Sequence, residues 1–201
     1  MAIPEKHVKF TYKDYLKWPD EERWELIYGE AWDMAPATTR KHQQISKKLL
    51  FQIEDYLKDK DCTVYYAPFD VRLPENKEDN DKETDTVVQP DLLVVCDKAK
   101  LDDAGCNGAP DWIIEILSPS TAVKDLNNKY QLYQAKGVKE YWIIDPSNNY
   151  LTVYLLDISG KYFRSGVYSA DSKVPSTILP ELSIDLNPVI TVNCSLLTVN
   201  C

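Results

Sequence analysis

Apolar residues recur every four positions between Thr38 and Leu57, as expected for one face of a helix. The members of this stripe are Ile45, Leu49, Ile53 and Leu57, with Leu50 and Tyr56 beside them. A second helix is predicted for "SPSTAVKDLNNKYQLYQAKG", where Ser120 or Thr121 can cap the start and Gly137 can cap the end. The sequence therefore predicts two helices that are long enough to pack across a β-sheet.

Four segments around the second helix are rich in β-branched and aromatic residues and read as strands. They are "CTVYYAPFDVRL", "VVQPDLLVV" and "DWIIEIL" before the helix, and "EYWIID" after it. The short links between the first three predict an antiparallel meander, and the helix is long enough to cross over to a parallel fourth strand. We expect an α/β fold with a mixed sheet sandwiched by helices. Hairpins are predicted at Tyr28-Gly29 and between "YLTVYLLD" and "KYFRSGVY".

Length and composition limit the number of domains and the compartment. A chain of 201 residues that is 44% hydrophobic can bury one good core, so we predict one domain over residues 1–190 and a tail over 191–201. The N-terminus lacks a signal-peptide pattern, and no apolar run is long enough to cross a bilayer. Five cysteines without CxxC spacing argue against a zinc site and a disulfide framework. These features predict a cytoplasmic protein with no membrane partner.

Glu115 stands inside the apolar run "DWIIEIL", where an unpaired charge costs several kcal/mol. Strand alternation puts it on one face with Ile113 and Leu117, which disfavours an outward-facing edge residue. Asp91 opens a neighbouring strand, and a divalent cation between the two carboxylates would remove their repulsion. For Asp91 alone, capping of the strand end after Pro90 remains an equal alternative.

Acidic residues also serve two other kinds of site, which bind calcium or hydrolyse a glycoside. The segment "ENKEDNDKETD" has six acids but lacks the glycine and glutamate positions of a calcium loop, so we predict a solvated loop. Hydrolysis of a glycoside by two carboxylates would need a sugar-binding cleft, and the sequence contains nothing that requires one.

The ordered motifs "ELIYGE", "APFDV", "QPDLLVV", "EILSPST", "DLNNKYQLYQAKGVKEYWIIDP" and "YLTVY" carry a resemblance. Together they resemble the small restriction-endonuclease-like proteins of the PD-(D/E)XK nuclease superfamily, from about Glu25 to Tyr154. The resemblance implies catalysis by two acids and a lysine with Mg²⁺, for which Mn²⁺ can substitute. The metal ligands implied are Asp91, Glu115 and the backbone carbonyl of Ile116.

The lysine of that motif is displaced in this sequence. The position two residues after Glu115 holds Leu117, and the resemblance implies that Lys129 on the next helix takes the role. A surface ion pair with Asp125, four residues earlier, is the alternative for Lys129. Lys124 is the second candidate for the displaced lysine.

Four further residues are candidates for support of the site: Glu30, Asp70, Gln89 and His42. Glu30 matches a family position that can bind metal directly or through water, and a hairpin-edge carboxylate is the alternative. Asp70 could approach Asp91 or sit at a strand bend, and Gln89 could bind substrate or backbone. His42 could contact phosphate, support Glu30 or cap its helix. Glu25 is expected to face solvent.

These residues favour a Mg²⁺-dependent endonuclease that hydrolyses DNA. The alternative is a nuclease-fold protein without turnover that serves as a nucleic-acid or protein interaction module, as the absent lysine at 117 and the pI of 4.8 suggest. Two basic clusters could contact phosphate or be ordinary solvated faces. They are Arg40, Lys41, Lys47 and Lys48, and Lys124, Lys129, Lys136 and Lys139. Without a separate specificity domain, cleavage specificity would come from loops or from a homodimer.

Overall fold

The computed structural model describes residues 9–19, 23–34, 39–76, 80–118 and 124–191, with the side chains of residues 124 and 125 excepted. The predicted tail beyond Thr191 lies outside these ranges. In chain order the strands are β1 (Trp24–Ile27), β2 (Glu30–Asp33), β3 (Thr63–Tyr66), β4 (Val71–Arg72), β5 (Val87–Val88), β6 (Leu92–Val95), β7 (Leu101–Asp102), β8 (Gly105–Asn107), β9 (Trp112–Ile116), β10 (Glu140–Asp145), β11 (Tyr150–Leu156), β12 (Tyr162–Ser169), β13 (Lys173–Pro175) and β14 (Ser183–Asp185). The α-helices are α1 (Tyr12–Tyr15), α2 (Arg40–Leu57), α3 (Tyr130–Lys136) and α4 (Leu186–Ile190).

The central sheet has the strand order β12-β11-β10-β9-β6-β3. Strands β3, β6 and β9 pair antiparallel, and β10 lies parallel to β9 after the helical crossover. The predicted meander and parallel fourth strand are confirmed. A second six-stranded sheet has the order β2-β1-β5-β4-β8-β7, and β13 pairs with β14. The predicted mixed α/β architecture is therefore correct.

Two apolar cores lie on opposite faces of the central sheet. The α2 residues Ile45 and Leu49 share one core with Trp112 of β9. On the other face, Leu132 of α3 shares a core with Ile113 of β9. Because neighbouring strand residues point to opposite faces, Glu115 lies on the α3 side, as its alternation predicted.

The acidic segment predicted to be a solvated loop is partly built into the fold. It contains a 3₁₀ turn at Asp81–Glu83. Asp81 and Asp102 each hold the guanidinium of Arg72 at 2.6 Å, and Arg72 is only 1% exposed. The run of acids gave no sign of this contact because its cation lies on β4, outside the segment.

The prediction against a disulfide framework did not anticipate one bond, which joins Cys62 to Cys96. The antiparallel register pairs Thr63 with Val95, so the two cysteines are the next residues facing each other across β3 and β6. Cysteine count and spacing carry no information on strand register, which is why the sequence did not indicate this bond.

Among the described residues, no helix is long and apolar enough to cross a membrane.

Gly105 should tolerate no side chain at the start of β8. It has φ of +128°, and a Cβ there would lie 2.2 Å from the carbonyl oxygen of Asp70. We expect Gly105→Ala to lower the free energy of unfolding by roughly 3 kcal/mol or more. The alanine would be strained at this positive φ, and the backbone at Asp70 would also have to move. Gly160 is the matched control, with φ of +74° and no atom within 4 Å of a Cβ. Gly160→Ala should cost about 1 kcal/mol, and equal losses by urea denaturation would contradict the steric argument.

Candidate active site

Asp91 and Glu115 meet at one end of the central sheet. The antiparallel register pairs Leu92 with Ile114, so its continuation sets Asp91 opposite Glu115. The Ile116 amide donates to Oδ2 of Asp91 at 2.8 Å, and the Asp91 amide lies 3.4 Å from Oε2 of Glu115. The structure therefore brings together the two carboxylates and the Ile116 peptide that were predicted to form a metal site.

Lys129 enters this cluster from the helix that follows β9. Its Nζ lies 2.8 Å from Oε1 of Glu115 and 2.8 Å from Oε1 of Glu25, and the residue is 3% exposed. The surface-pair interpretation is therefore wrong for Lys129. Residues 124–129 form a π-helical turn, in which Asp125 and Lys129 no longer have the α-helical spacing on which that interpretation depended.

Glu25 is a site residue that the sequence interpretation placed wrongly in solvent. It is fully buried on β1, and its Oε1 also accepts a hydrogen bond from the Gln89 amide at 2.9 Å. Alternation puts Glu25 on the same face as Ile27, which is also buried. The same argument that singled out Glu115 could have identified Glu25.

Tyr133 completes the polar contacts of Glu115. Its hydroxyl donates to Oε1 of Glu115 at 2.8 Å. Tyr133 follows Lys129 by four residues, so both side chains project from one face of the helix onto the same carboxylate oxygen. Burial, together with the charge of Glu115, raises the pKa of Tyr133 well above its ordinary value of 10. This residue was not among the candidates that the sequence suggested.

His42 contacts Asp91 rather than Glu30. Its Nε2 lies 3.2 Å from Oδ2 of Asp91, and its backbone amide donates to the capping hydroxyl of Thr39. The ring is buried, and Nδ1 has no hydrogen-bond partner among the described residues. The Asp91 side chain is 19% exposed, and its Oδ1 accepts no hydrogen bond from the part of the chain that the structure describes. One oxygen of Asp91 is thus available to a ligand.

Asp70 and Gln89 form a polar group next to the cluster. The Gln89 carboxamide donates to Oδ1 of Asp70 at 2.8 Å, and the Tyr15 hydroxyl donates to the same oxygen at 3.1 Å. Burial raises the pKa of Asp70, against the opposing effect of these two hydrogen bonds. Within the described residues, Asp70 makes no hydrogen bond to Asp91, so Gln89 is its link to Glu25.

Glu30 is the one supporting candidate that the structure leaves outside this network. It lies on β2 opposite Ile27, and its exposed side chain makes no hydrogen bond or ion pair with the described residues. Antiparallel pairing puts Glu30 on the same face as Ile27 and Glu25, but β2 is the edge strand of its sheet, whereas Glu25 on β1 is fully buried.

Most lysines of the second basic cluster, which runs from Lys124 to Lys139, contact oxygen atoms of the protein. Lys136 pairs with Glu75, and Lys139 pairs with Asp111 at 2.6 Å. In the first cluster, Lys48 donates to the Pro188 carbonyl. Lys48 and Lys136 are half-buried, so the solvated-face interpretation does not describe them, whereas it does describe Lys139, whose side chain is 63% exposed.

The charge balance and the oxygen donors of the cluster fit a divalent metal. With all three carboxylates ionised, Glu25, Asp91 and Glu115 exceed the single ammonium of Lys129 by two negative charges. Mg²⁺ prefers such oxygens and usually takes one or two carboxylates, with water and substrate phosphate completing its shell. No group of three or more His, Cys, Asp or Glu side chains within the described ranges is arranged to hold an ion alone.

Comparisons with known proteins agree with this fold. A protein from Synechocystis sp., described as uncharacterized, is 21% identical over 181 residues, which cover 89% of this chain and 90% of that protein. A crystal structure described as a putative nuclease belonging to DUF820, from Anabaena variabilis, matches with a TM-score of 0.70 and 22% identity. That match covers 90% of this chain and 97% of the other. The model of the Uma2 family, described as putative restriction endonuclease, matches residues 12–187. The chain therefore belongs to the Uma2 family of restriction-endonuclease-like proteins.

Proposed function

We propose that this protein is a metal-dependent endonuclease that hydrolyses phosphodiester bonds of DNA. The observation that carries the proposal is the contact of the Lys129 ammonium with Glu115, beside Asp91. This contact supplies the lysine that the chain lacks at position 117. The family and the nuclease-like fold support the broader assignment as a nuclease.

Mg²⁺, with Mn²⁺ as a substitute, is the proposed cofactor. Asp91, Glu115 and the carbonyl of Ile116 would hold it, and Asp91 is the most exposed of the three residues. When bound, the metal would polarise a phosphate oxygen and lower the pKa of a water. It would also offset the negative charge that otherwise repels DNA from this cluster.

The residues of the chain have separate tasks in this proposal. The ammonium of Lys129 would orient the attacking water and stabilise charge that develops on the phosphate. Glu25 and Glu115 hold that ammonium from two strands, so its position is fixed before substrate binds. Tyr133 donates its hydroxyl to Glu115, and its raised pKa keeps that hydroxyl protonated well into alkaline pH. His42 and the Ile116 amide orient the Asp91 carboxylate.

Cleavage of DNA with and without divalent metal tests the proposal. Purified protein should cut plasmid DNA in millimolar Mg²⁺ or Mn²⁺, and excess chelator should abolish cutting. Restoration of metal should restore cutting. DNA binding without cutting in either metal would reject the proposed activity and support the alternative of an interaction module without turnover.

A further inference from the structure

A donor-rich pocket lies at the N-terminal end of α2, outside the carboxylate cluster. It has a volume of about 370 Å³, and its polar lining includes Arg40, Lys41, Gln44 and Asn149. The remaining wall contains Ala170 and Ile190, and none of the described residues that line the pocket carries a carboxylate side chain. This composition is opposite in charge to the cluster around Glu115.

The pocket lies at the same end of the central sheet as Asp91. His42 binds Asp91, whereas the adjacent Lys41 donates to the Pro146 carbonyl and lies 3.2 Å from Oδ1 of Asn149. Pro146 follows β10, which is two strands from β6 in the sheet. Two strand spacings amount to about 10 Å. A single extended ligand can therefore reach both places.

The donors of this pocket have capacity left for a ligand. The exposed guanidinium of Arg40 makes no hydrogen bond or ion pair within the described residues. Gln44 likewise has no side-chain partner there, and its Oε1 is buried in the pocket wall. Rotation of the carboxamide can present its NH₂ group instead. Lys41 uses two oxygens, and an ammonium has three donors.

We propose that this pocket binds a backbone phosphate of DNA, at a position away from the bond that is cut. The inference rests on the proposed function, because it assigns the pocket to the same nucleic-acid strand that meets the carboxylate cluster. Guanidinium and ammonium donors match phosphate oxygens. A second anchor also addresses a difficulty of this acidic chain, whose net charge is −9. The Arg40 pocket attracts the backbone electrostatically, whereas the catalytic cluster attracts it only when metal is bound.

Binding of a fluorescent DNA duplex by anisotropy tests this pocket. Arg40→Gln should raise Kd several-fold for every duplex sequence and should reduce the slope of log affinity against log salt by about 1. Lys58→Gln is the matched control, because it removes one charge at the opposite end of α2, about 27 Å away. The control should leave both Kd and slope unchanged.

Single methylphosphonate linkages identify the phosphate that Arg40 contacts. One neutral linkage should weaken wild-type binding as much as Arg40→Gln does and should have little further effect in the variant, because both changes remove one interaction. Wild-type affinity and salt slope in Arg40→Gln would overturn the inference, as would full additivity at every linkage. If inorganic phosphate competes through Arg40 while no linkage is coupled to it, the pocket takes free phosphate and the backbone assignment is wrong.

Binding and cleavage give separate answers. Arg40-dependent binding in a protein that never cuts DNA would reject the proposed nuclease and retain the phosphate pocket. Cleavage with Arg40-independent binding would reject the pocket and retain the nuclease. A wild type that binds no duplex in either metal would reject both.

Discussion

Lys129→Met should reduce DNA cleavage by roughly 10²- to 10³-fold or more, because it removes an ammonium that contacts Glu115. It should also lower the free energy of unfolding by about 3 to 5 kcal/mol, since Glu25 and Glu115 lose their shared buried cation. Quenched time courses of DNA cleavage measure the first effect, and urea denaturation measures the second. Lys139→Met is the control. Lys139 also forms an ion pair, with Asp111, but its side chain is 63% exposed. It should change stability by about 1 kcal/mol or less and leave cleavage unchanged.

A double variant separates the catalytic effect of Lys129 from its effect on stability. Lys129→Met combined with Glu25→Gln removes one positive and one negative charge from the interior, so much of the lost stability should return. Cleavage should stay low, because the ammonium is still absent. Recovery of cleavage together with stability would show that Lys129 acts only by holding the fold. Loss of cleavage in Lys124→Met, with activity retained in Lys129→Met, would assign the role to Lys124 instead.

Asp91→Asn should remove the stabilisation that metal gives the folded protein. The wild type should gain about 2.7 kcal/mol when free Mg²⁺ or Mn²⁺ is 100 times its Kd. Asparagine keeps an oxygen that can accept from the Ile116 amide but deletes the charge of the carboxylate whose Oδ1 is available. Thermal melts across a metal titration should therefore shift for the wild type and remain nearly constant for the variant, which should also lose cleavage.

Asp55→Ala is the control for the metal titration, because Asp55 lies exposed on α2 and pairs only with Lys58 among the described residues. It should retain the full metal-dependent shift. An equal shift in Asp91→Asn and the wild type would place the ion elsewhere. No shift in the wild type at millimolar metal would contradict binding to the free protein.

Much of the central sheet was predictable because its signals are local. The α2 stripe follows from four-residue spacing, and the side of the sheet on which Glu115 lies follows from strand alternation. The parallel placement of β10 follows from the length of the intervening helix. The second sheet is different, since β4, β5, β7 and β8 have only two or three residues each. Strands that short show no clear period.

The supporting residues show where motif matching fails. Glu30 matched the family position, yet it lies exposed, and Glu25 five residues earlier holds Lys129. Glu25 and Glu30 lie on the paired strands β1 and β2, so the burial of each carboxylate depends on which other elements pack against the hairpin. Tyr133 was missed for a related reason, because its hydrogen bond to Glu115 joins α3 to β9 and leaves no local pattern in the sequence. A homodimer, the domain limits and a cytoplasmic location remain predictions.

The sequence by itself determined the order of helices and strands in the central sheet, the burial of Glu115 and the displacement of the motif lysine from position 117, which holds Leu117. These properties depend on side-chain periodicity and on ordered motifs, which the chain carries locally. The tertiary structure alone decided which partner each charged group has. Glu25 with Lys129, Arg72 with Asp81 and Cys62 with Cys96 each join different elements. Such pairs depend on sheet register and on the burial of both partners, and neither quantity is set by nearby residues.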